Sequence, residues 1–562
     1  MRILLLCHTF NSLSQRVHAE LRAAGHKLSV ELDIRDDVTR DAVSRFRPDV
    51  VVAPFLKRRI PEDVWSAVPC LIVHPGPPGD RGPTALDWAV LEAEATWGVS
   101  IIRATAELDG GPLLAFREFP MRRARKSSLY RFEVTEAAVS ALLEALEQLD
   151  ADLRTETLGD DRWRDPLPAA IRRIDFAADD TDTVLKKIDS GDGQPGARAA
   201  LAGVELRLFD ARPEPELRGE AGALLARCRQ AVCVATVDGA IWVGHLREVG
   251  DTTFKRPATD VLGDAASALP SIEPSMNAAV DGRGAITYRE HGQVGVLEFD
   301  FYNGAMSPTA CEELLAGWRH AASRPTRVIV LSGGRDFWSN GMDLNTIEAA
   351  DSPADASWAN IQAIDDVAEA VITTTSHLTV SALRGNAAAG GVFLALAADR
   401  VWARDGVVLN PHYKNMGNLY GSEYWTYLLP RRVGTEGVGR VMDHRLPVLA
   451  GQAASLGLVD AVGPRQQEAF DHFVIERAGE LAGEGCNERL EAKRAQRLAD
   501  EAEKPLSDYR EEELERMRMN FYGFDPSYHV ARYRLVKRTP HAWTPLYLAE
   551  HRRANPEAEA KR

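Results

Sequence analysis

Residues 70–83 read Cys70-Leu71-Ile72-Val73-His74-Pro75-Gly76-Pro77-Pro78-Gly79-Asp80-Arg81-Gly82-Pro83. A run of strand character ends on a histidine, and a loop too rich in proline and glycine to continue a regular element follows at once. An apolar strand that delivers a polar side chain at its carboxyl end is how open α/β sheets meet their ligands. The flanking sequence agrees. Ile3–Cys7, Lys27–Leu32 and Val50–Ala53 read as apolar strands, and Gly98–Ala104 as the next one. Ser14–Ala24, stopped by Gly25, and Thr84–Ala95 read as helices between them. This rhythm predicts an open parallel, Rossmann-like sheet. No G-x-G-x-x-G follows the first strand, so a dinucleotide is not expected there.

Beyond this unit the chain is too long for one core, since 562 residues exceed the span of a single domain. A polar stretch at 154–167 reads as a linker. Val204–Phe209, Ala231–Thr236 and Ala240–Val243 then read as short strands, the last two joined by the hairpin-type turn Val237-Asp238-Gly239. A second linker, Leu262–Asn277, precedes a new α/β unit. There Val294–Phe299 and Arg327–Leu331 read as strands flanking a helix over Thr309–Ala322. The chain ends in charged helical stretches with a late aromatic cluster, Phe521, Tyr522, Phe524, Tyr528 and Tyr533. We expect domains at 1–165, 166–275, 276–500 and 501–562.

The bulk numbers exclude several functions. A net charge of -15 disfavours nucleic acid, which is bound by displacing counterions with a basic surface. Six cysteines without a CxxC pair make neither a disulfide framework nor a zinc site, so no metal is expected. No run of about 18 apolar residues predicts a membrane span. The apolar start is too short for a signal sequence, and a cytoplasmic protein is expected.

Two constellations carry chemistry. In the first, His74 closes a strand and Asp109 lies in the tight loop Leu108-Asp109-Gly110-Gly111-Pro112 after the next. A carboxylate can tune an imidazole and manage protons while the imidazole donates to a developing oxyanion. His74, Arg81-Gly82, Gly98-Val99-Ser100-Ile101 and Leu108–Gly111 together resemble, in order, the motifs of the 10-formyltetrahydrofolate-dependent formyltransferases, such as methionyl-tRNA formyltransferase. The resemblance covers about 1–165, and the small β-rich domain is weakly similar to that family's C-terminal barrel. It implies 10-formyltetrahydrofolate as formyl donor, with His74 and Asp109 catalytic. The family's asparagine and serine fall at Ile72 and Gly76. Losing the asparagine removes an oxyanion donor, at about 10²–10³ in rate. A thiol acceptor, which attacks as thiolate, demands less proton management than an amine.

In the second, Trp338-Ser339-Asn340-Gly341-Met342-Asp343-Leu344 forms a turn after a strand, and Gly385-Asn386-Ala387-Ala388-Ala389-Gly390-Gly391 opens a helix. Backbone N–H groups at a turn and a helix N-terminus suit an oxyanion hole. Both segments, with Asp399 and Ala453–Asp460, resemble the crotonase (enoyl-CoA hydratase/isomerase) superfamily over about 285–480. The resemblance implies a coenzyme A thioester gripped by the N–H groups of Met342 and Gly390. Hydratases place acids where Phe393 and His412 stand, so water addition to an enoyl thioester is not expected. Tyr413 and Glu423, in the tract 410–425, are the remaining candidate catalytic groups.

The two halves in one chain resemble the HypX/HoxX-type nickel–iron hydrogenase maturation proteins. That resemblance implies an α/β protein with a formyltransferase sheet, a small β-barrel-like domain and a crotonase-type α/β spiral with a helical tail. It implies formyl transfer to coenzyme A and decarbonylation of formyl-CoA to carbon monoxide, with hydrogenase maturation proteins as partners. Basic runs at Arg122, Arg123, Arg125, Lys126 and Arg131, and at Arg532, Arg534, Lys537 and Arg538, can meet phosphates or solvent. The resemblance singles out Arg131 and Arg538 for coenzyme A. Release of formate by hydrolysis, or a non-catalytic folate- and CoA-binding scaffold, are the alternatives.

Overall fold

The computed structural model describes residues 1–149, 162–274, 276 and 285–553. The chain forms two compact units: 1–175 with 182–199 and the chain from Pro540, and 176–181 with 200–539.

In the first unit, strands Lys27–Leu32, Arg2–Cys7, Val50–Phe55 and Cys70–His74 lie side by side in that order, all parallel. Thr96–Arg103 and Leu113–Pro120 complete the sheet and run antiparallel to their neighbours. The parallel strands are buried almost throughout, as a sheet covered on both faces requires. Helix Ser12–Ala23 starts on Asn11, whose side chain accepts the Ser14 N–H at 3.0 Å. The chain after Pro540 returns to cover the sheet edge. Val30 N–H donates to the Leu548 carbonyl at 2.9 Å, Leu32 N–H donates to the Thr544 hydroxyl, and buried Glu31 pairs with His551 and Arg552. An edge strand that would template foreign pairing is thereby closed.

The second unit opens with antiparallel strands Leu224–Cys228, Ala231–Ala235, Ala240–Glu248 and Val204–Glu214, neighbours in that order. Then three long strands each feed a short one. Val328–Ser332 leads to Phe337–Ser339, Leu378–Leu383 to Asn386–Ala388, and Arg400–Arg404 to Val408–Asn410. The long strands belong to one six-stranded sheet and the short ones to a four-stranded sheet. Alternation sets the core: Val328 and Val330 face one apolar cluster with Phe470, and Ile329 and Leu331 face another with Trp318 and Phe393. The tail enters that second cluster through Leu506, Met517, Phe521 and Tyr528, while Phe524 and Tyr533 stay exposed. All six cysteines are buried free thiols. Among the described residues, no helix is long and apolar enough to cross a membrane.

Candidate active sites

In the first unit His74 is the last residue of its strand and is buried. The loop after it is pinned to the next strand, because Trp97 Nε1 donates to the Pro75 carbonyl and Ser100 Oγ to the Gly76 carbonyl, both at 2.8 Å. The loop bearing Asp109 is clamped to the same place. Arg81 donates to the Leu108 carbonyl at 2.9 Å and pairs with Glu107 at 2.8 Å. Asp109 sits at φ +52° and accepts the Gly82 N–H at 3.2 Å. The result brings Asp109 Oδ2 to 3.8 Å from His74 Nδ1, so the two expected residues share one site.

A third group there was not read from the sequence. Asp80 is buried, and its Oδ2 lies 3.2 Å from His74 Nε2. Its other oxygen lies 3.5 Å from Arg164 Nε. Gly76 makes room for it: a Cβ at that position would stand 2.5 Å from His74 Nε2 and 2.6 Å from Asp80 Oδ2. Ile72 packs its side chain on the apolar cluster of Leu4, Phe46 and Val51. The imidazole is therefore flanked by two carboxylates.

In the second unit the expected oxyanion turns lie close together. A Cβ at Gly341, which has φ +78°, would stand 3.7 Å from Gly390 nitrogen. The first turn is tied by Met306 N–H to the Gly341 carbonyl at 2.9 Å and Asn340 N–H to the Gly304 carbonyl at 2.7 Å. Trp338 Nε1 donates to the Gly391 carbonyl at 2.8 Å and joins it to the second. Gly390 is the first residue of helix Gly390–Leu396, so its N–H has no acceptor within that helix. Met342, partly buried, packs beside the core.

Glu423 and Tyr413 meet at this turn. The Tyr413 hydroxyl donates to Glu423 Oε2 at 2.5 Å, and Ser422 N–H donates to the same oxygen at 3.1 Å. The other carboxyl oxygen lies against Gly390, where any Cβ would collide with it. Burial first, then the Asp365 charge, pushes Glu423 up to about 8. Burial and the neighbouring Glu423 hold the Tyr413 phenol well above its ordinary value. Phe393, where hydratases have an acid, stacks on the Tyr413 ring with centroids 5.2 Å apart. Burial lowers His412 to about 4, which leaves it neutral at pH 7.

The Glu423 turn is strained and doubly held. Glu423 and Tyr424 have φ +61° and +59°, a left-handed pair that costs about 1–3 kcal/mol per residue unless the surroundings fix it. Glu423 N–H and Ser422 Oγ each donate to Asp365 at 2.8 Å. Tyr424 N–H donates to Glu513 at 2.9 Å, and Thr426 N–H to Glu513 at 2.7 Å. Both acids are buried, and neither was singled out from the sequence. Asp365 occupies an apolar-face position of helix Pro353–Thr373, the only signal it left.

The basic residues stand apart by chemistry. Arg122 pairs with Glu133, Arg123 with Asp182, Lys126 with Asp87, and buried Arg532 with Glu348. Arg131 lies on the π-turn Tyr130–Val134 of the first unit. Arg538, exposed at φ +50°, follows helix Ser527–Val536 in the second.

Comparisons with known proteins find three matching families along the chain. The formyl transferase family matches residues 14–146, the formyl transferase C-terminal domain matches 167–256, and the enoyl-CoA hydratase/isomerase family matches 292–532. A hydrogenase maturation factor HoxX from Bradyrhizobium diazoefficiens is 54% identical over 98% of this chain and 97% of its own. The crystal structure of HypX from Aquifex aeolicus in complex with tetrahydrofolic acid is 48% identical, with TM-score 0.96 over 99% of each chain. Methionyl-tRNA formyltransferase from Thermotoga maritima is 28% identical over 36% of this chain and 67% of its own.

Proposed function

The chain belongs to the HypX/HoxX family of hydrogenase maturation factors, and we propose that it moves a formyl group from 10-formyltetrahydrofolate to coenzyme A and then decarbonylates formyl-CoA to carbon monoxide and free coenzyme A. Carbon monoxide would then serve as an iron ligand in hydrogenase maturation. The observation that carries this reading is the buried Tyr413–Glu423 pair lying against Gly390.

In the first step the coenzyme A sulfur attacks the formyl carbon, the C–N bond breaks, the thiol loses its proton and the folate nitrogen gains one. His74, between Asp80 and Asp109, donates to the formyl oxygen and carries that proton. The tetrahydrofolate seen in the Aquifex relative supports a folate site here. In the second step the N–H groups of Met342 and Gly390 hold the formyl oxygen. The Glu423 carboxylate accepts the formyl C–H proton, the C–S bond breaks, and carbon monoxide departs. The Tyr413 hydroxyl protonates the thiolate and regains a proton from Glu423. Arg131 and Arg538 are the proposed phosphate ligands of coenzyme A.

The test incubates the protein with coenzyme A and formyl-labelled 10-formyltetrahydrofolate and assays labelled carbon monoxide with a haem trap. Labelled formate in place of carbon monoxide would make the protein a hydrolase. Binding of both ligands without turnover would make it a scaffold.

A further inference from the structure

Resting on the proposed role of Glu423, we propose that Asp365 and Glu513 are positioning residues for it: from helices Pro353–Thr373 and Leu506–Tyr522 they accept the N–H groups of Glu423 and Tyr424, and so hold the left-handed turn that aims the Glu423 carboxyl at Gly390.

The geometry is reciprocal. Each acid takes backbone N–H and hydroxyl donors from the same short segment, one N–H for Asp365 and two for Glu513. Asp365 accepts Glu423 N–H and Ser422 Oγ, and Glu513 accepts Tyr424 N–H and Thr426 Oγ1 at 2.5 Å. Neighbouring left-handed residues persist only when such contacts over-determine them. The device is expensive. Asp365, Glu423 and Glu513 are all but fully buried, and burial pushes Asp365 up to about 7 and Glu513 up to about 8. Arg510 reaches Asp365 only at 4.0 Å, and binds Asp366 and Glu369 at 2.6 and 2.9 Å. A purely structural brace would use neutral acceptors, because buried like charges repel. An acidic brace does what a neutral one cannot. The Asp365 charge opposes ionisation of Glu423 and leaves its proton affinity high enough to take a proton from carbon.

The groups facing Glu423 are Tyr413 from the loop after Val408–Asn410, Asp365 from one helix, Glu513 from another, and Cys311 from helix Pro308–Ala322, whose thiol burial pushes up. Asp365 acts on Glu423 through its charge as well as through its hydrogen bond to the turn, so the two effects separate by substitution. Asp365→Asn keeps an oxygen for Glu423 N–H and an amide for Ser422 Oγ, and removes the charge. Asp365→Ala removes the acceptor.

The experiment supplies formyl-CoA to the full-length protein and follows thiol release against pH, with carbon monoxide and formate quantified alongside. For Asp365→Asn the rise of kcat with pH moves to lower pH by about one unit, which makes this variant up to about tenfold faster than the parent at pH 6. For Asp365→Ala and Glu513→Ala, which remove the acceptors, kcat falls at least about tenfold while KM changes less than about twofold. A damaged fold cannot make an enzyme faster at low pH, so the Asn variant carries the test if the Ala variants do not fold. Parental pH profiles and kcat in all three folded variants would overturn the proposal. Thiol release with formate as product would defeat the decarbonylation reading alone, and leave the shift in profile to judge the positioning role.

Discussion

Replacing Glu423 by Gln is the sharpest perturbation of the crotonase-type site. The substitution preserves shape. Its amide oxygen can accept both the Tyr413 hydroxyl and Ser422 N–H, which now share Oε2 at 2.5 and 3.1 Å. What it removes is the proton acceptor. A positioned general base contributes about 10²–10⁴ in rate, or about 3–5 kcal/mol of barrier. We expect carbon monoxide release from formyl-CoA to fall by that factor, and formyl-CoA affinity to change less than about threefold.

Stability should move the other way. Glu423 titrates at about 8 in the fold against an ordinary 4.5, so the folded chain holds a proton that the unfolded chain has lost. Its contribution is complete below pH 4.5 and is lost as the pH climbs through about 8. The decline is on the order of 1 kcal/mol per pH unit across that window, and Asp365 and Glu513, shifted in the same direction, add to it. Glu423→Gln removes its own share, so melting temperature should rise relative to the parent at pH 8 and match it at pH 5. The assays are a haem-trap rate and thermal melts at both pH values. An inactive variant that melts lower at pH 8 would be merely misfolded, and undiminished carbon monoxide release would refute Glu423 as the base.

Four further outcomes follow from the same geometry. His74→Gln and Asp109→Asn should each cut formyl transfer from folate about 10²–10³-fold, yet leave carbon monoxide release from supplied formyl-CoA unchanged; loss of both activities would merge the two sites. Gly390→Ala should abolish thiol release at parental expression level, because the added methyl meets the Glu423 carboxyl; retained kcat would refute that contact. Phe393→Ala opens a hole beside the Tyr413 ring and should cost about 3–5 kcal/mol in denaturant unfolding. Arg131→Ala and Arg538→Ala should each raise the KM for coenzyme A and spare folate binding by calorimetry; unchanged KM in both would remove them as phosphate ligands.

Local patterning made much of the fold legible. Strands Lys27–Leu32 and Cys70–His74 stand within the bounds their apolar runs predict. The antiparallel edge of the first sheet does not follow from patterning, since Thr96–Arg103 is apolar enough to sit either way, and only its pairing sets its direction. His74 with Asp109, and Tyr413 with Glu423, were legible because motif order or a short tract carries them. Asp80, Asp365 and Glu513 were not. Asp80 sits in a loop whose composition explains any turn. Asp365 and Glu513 lie about 58 and 90 residues from the turn they hold; Asp365 leaves only its apolar-face position as a signal, and Glu513 reads locally as one more charge on a charged helix. The division of the tail was equally hidden. Residues to Thr539 pack with the second unit and those from Pro540 with the first, and nothing in the run Pro540–Ala549 says which core its apolar side chains join.

The departures from family pattern turn out to be exchanges of space for carboxylate. Gly76, where formyltransferases have serine, leaves the volume beside His74 Nε2 that Asp80 fills. Phe393, where hydratases have an acid, fills that position with a ring that stacks on Tyr413, and the acid arrives from Glu423 on a turn instead. In both sites a carboxyl group stands beside the other candidate proton-handling group, Asp80 beside His74 and Glu423 beside Tyr413. A hydratase acid at position 393 would serve water addition to a carbon chain. Glu423, lying on Gly390 itself, stands beside the proposed oxyanion hole, and in a one-carbon acyl group the carbon held there is the one that carries the hydrogen. On the proposed reading, that placement lets Glu423 take the formyl proton, the step that separates decarbonylation from hydration.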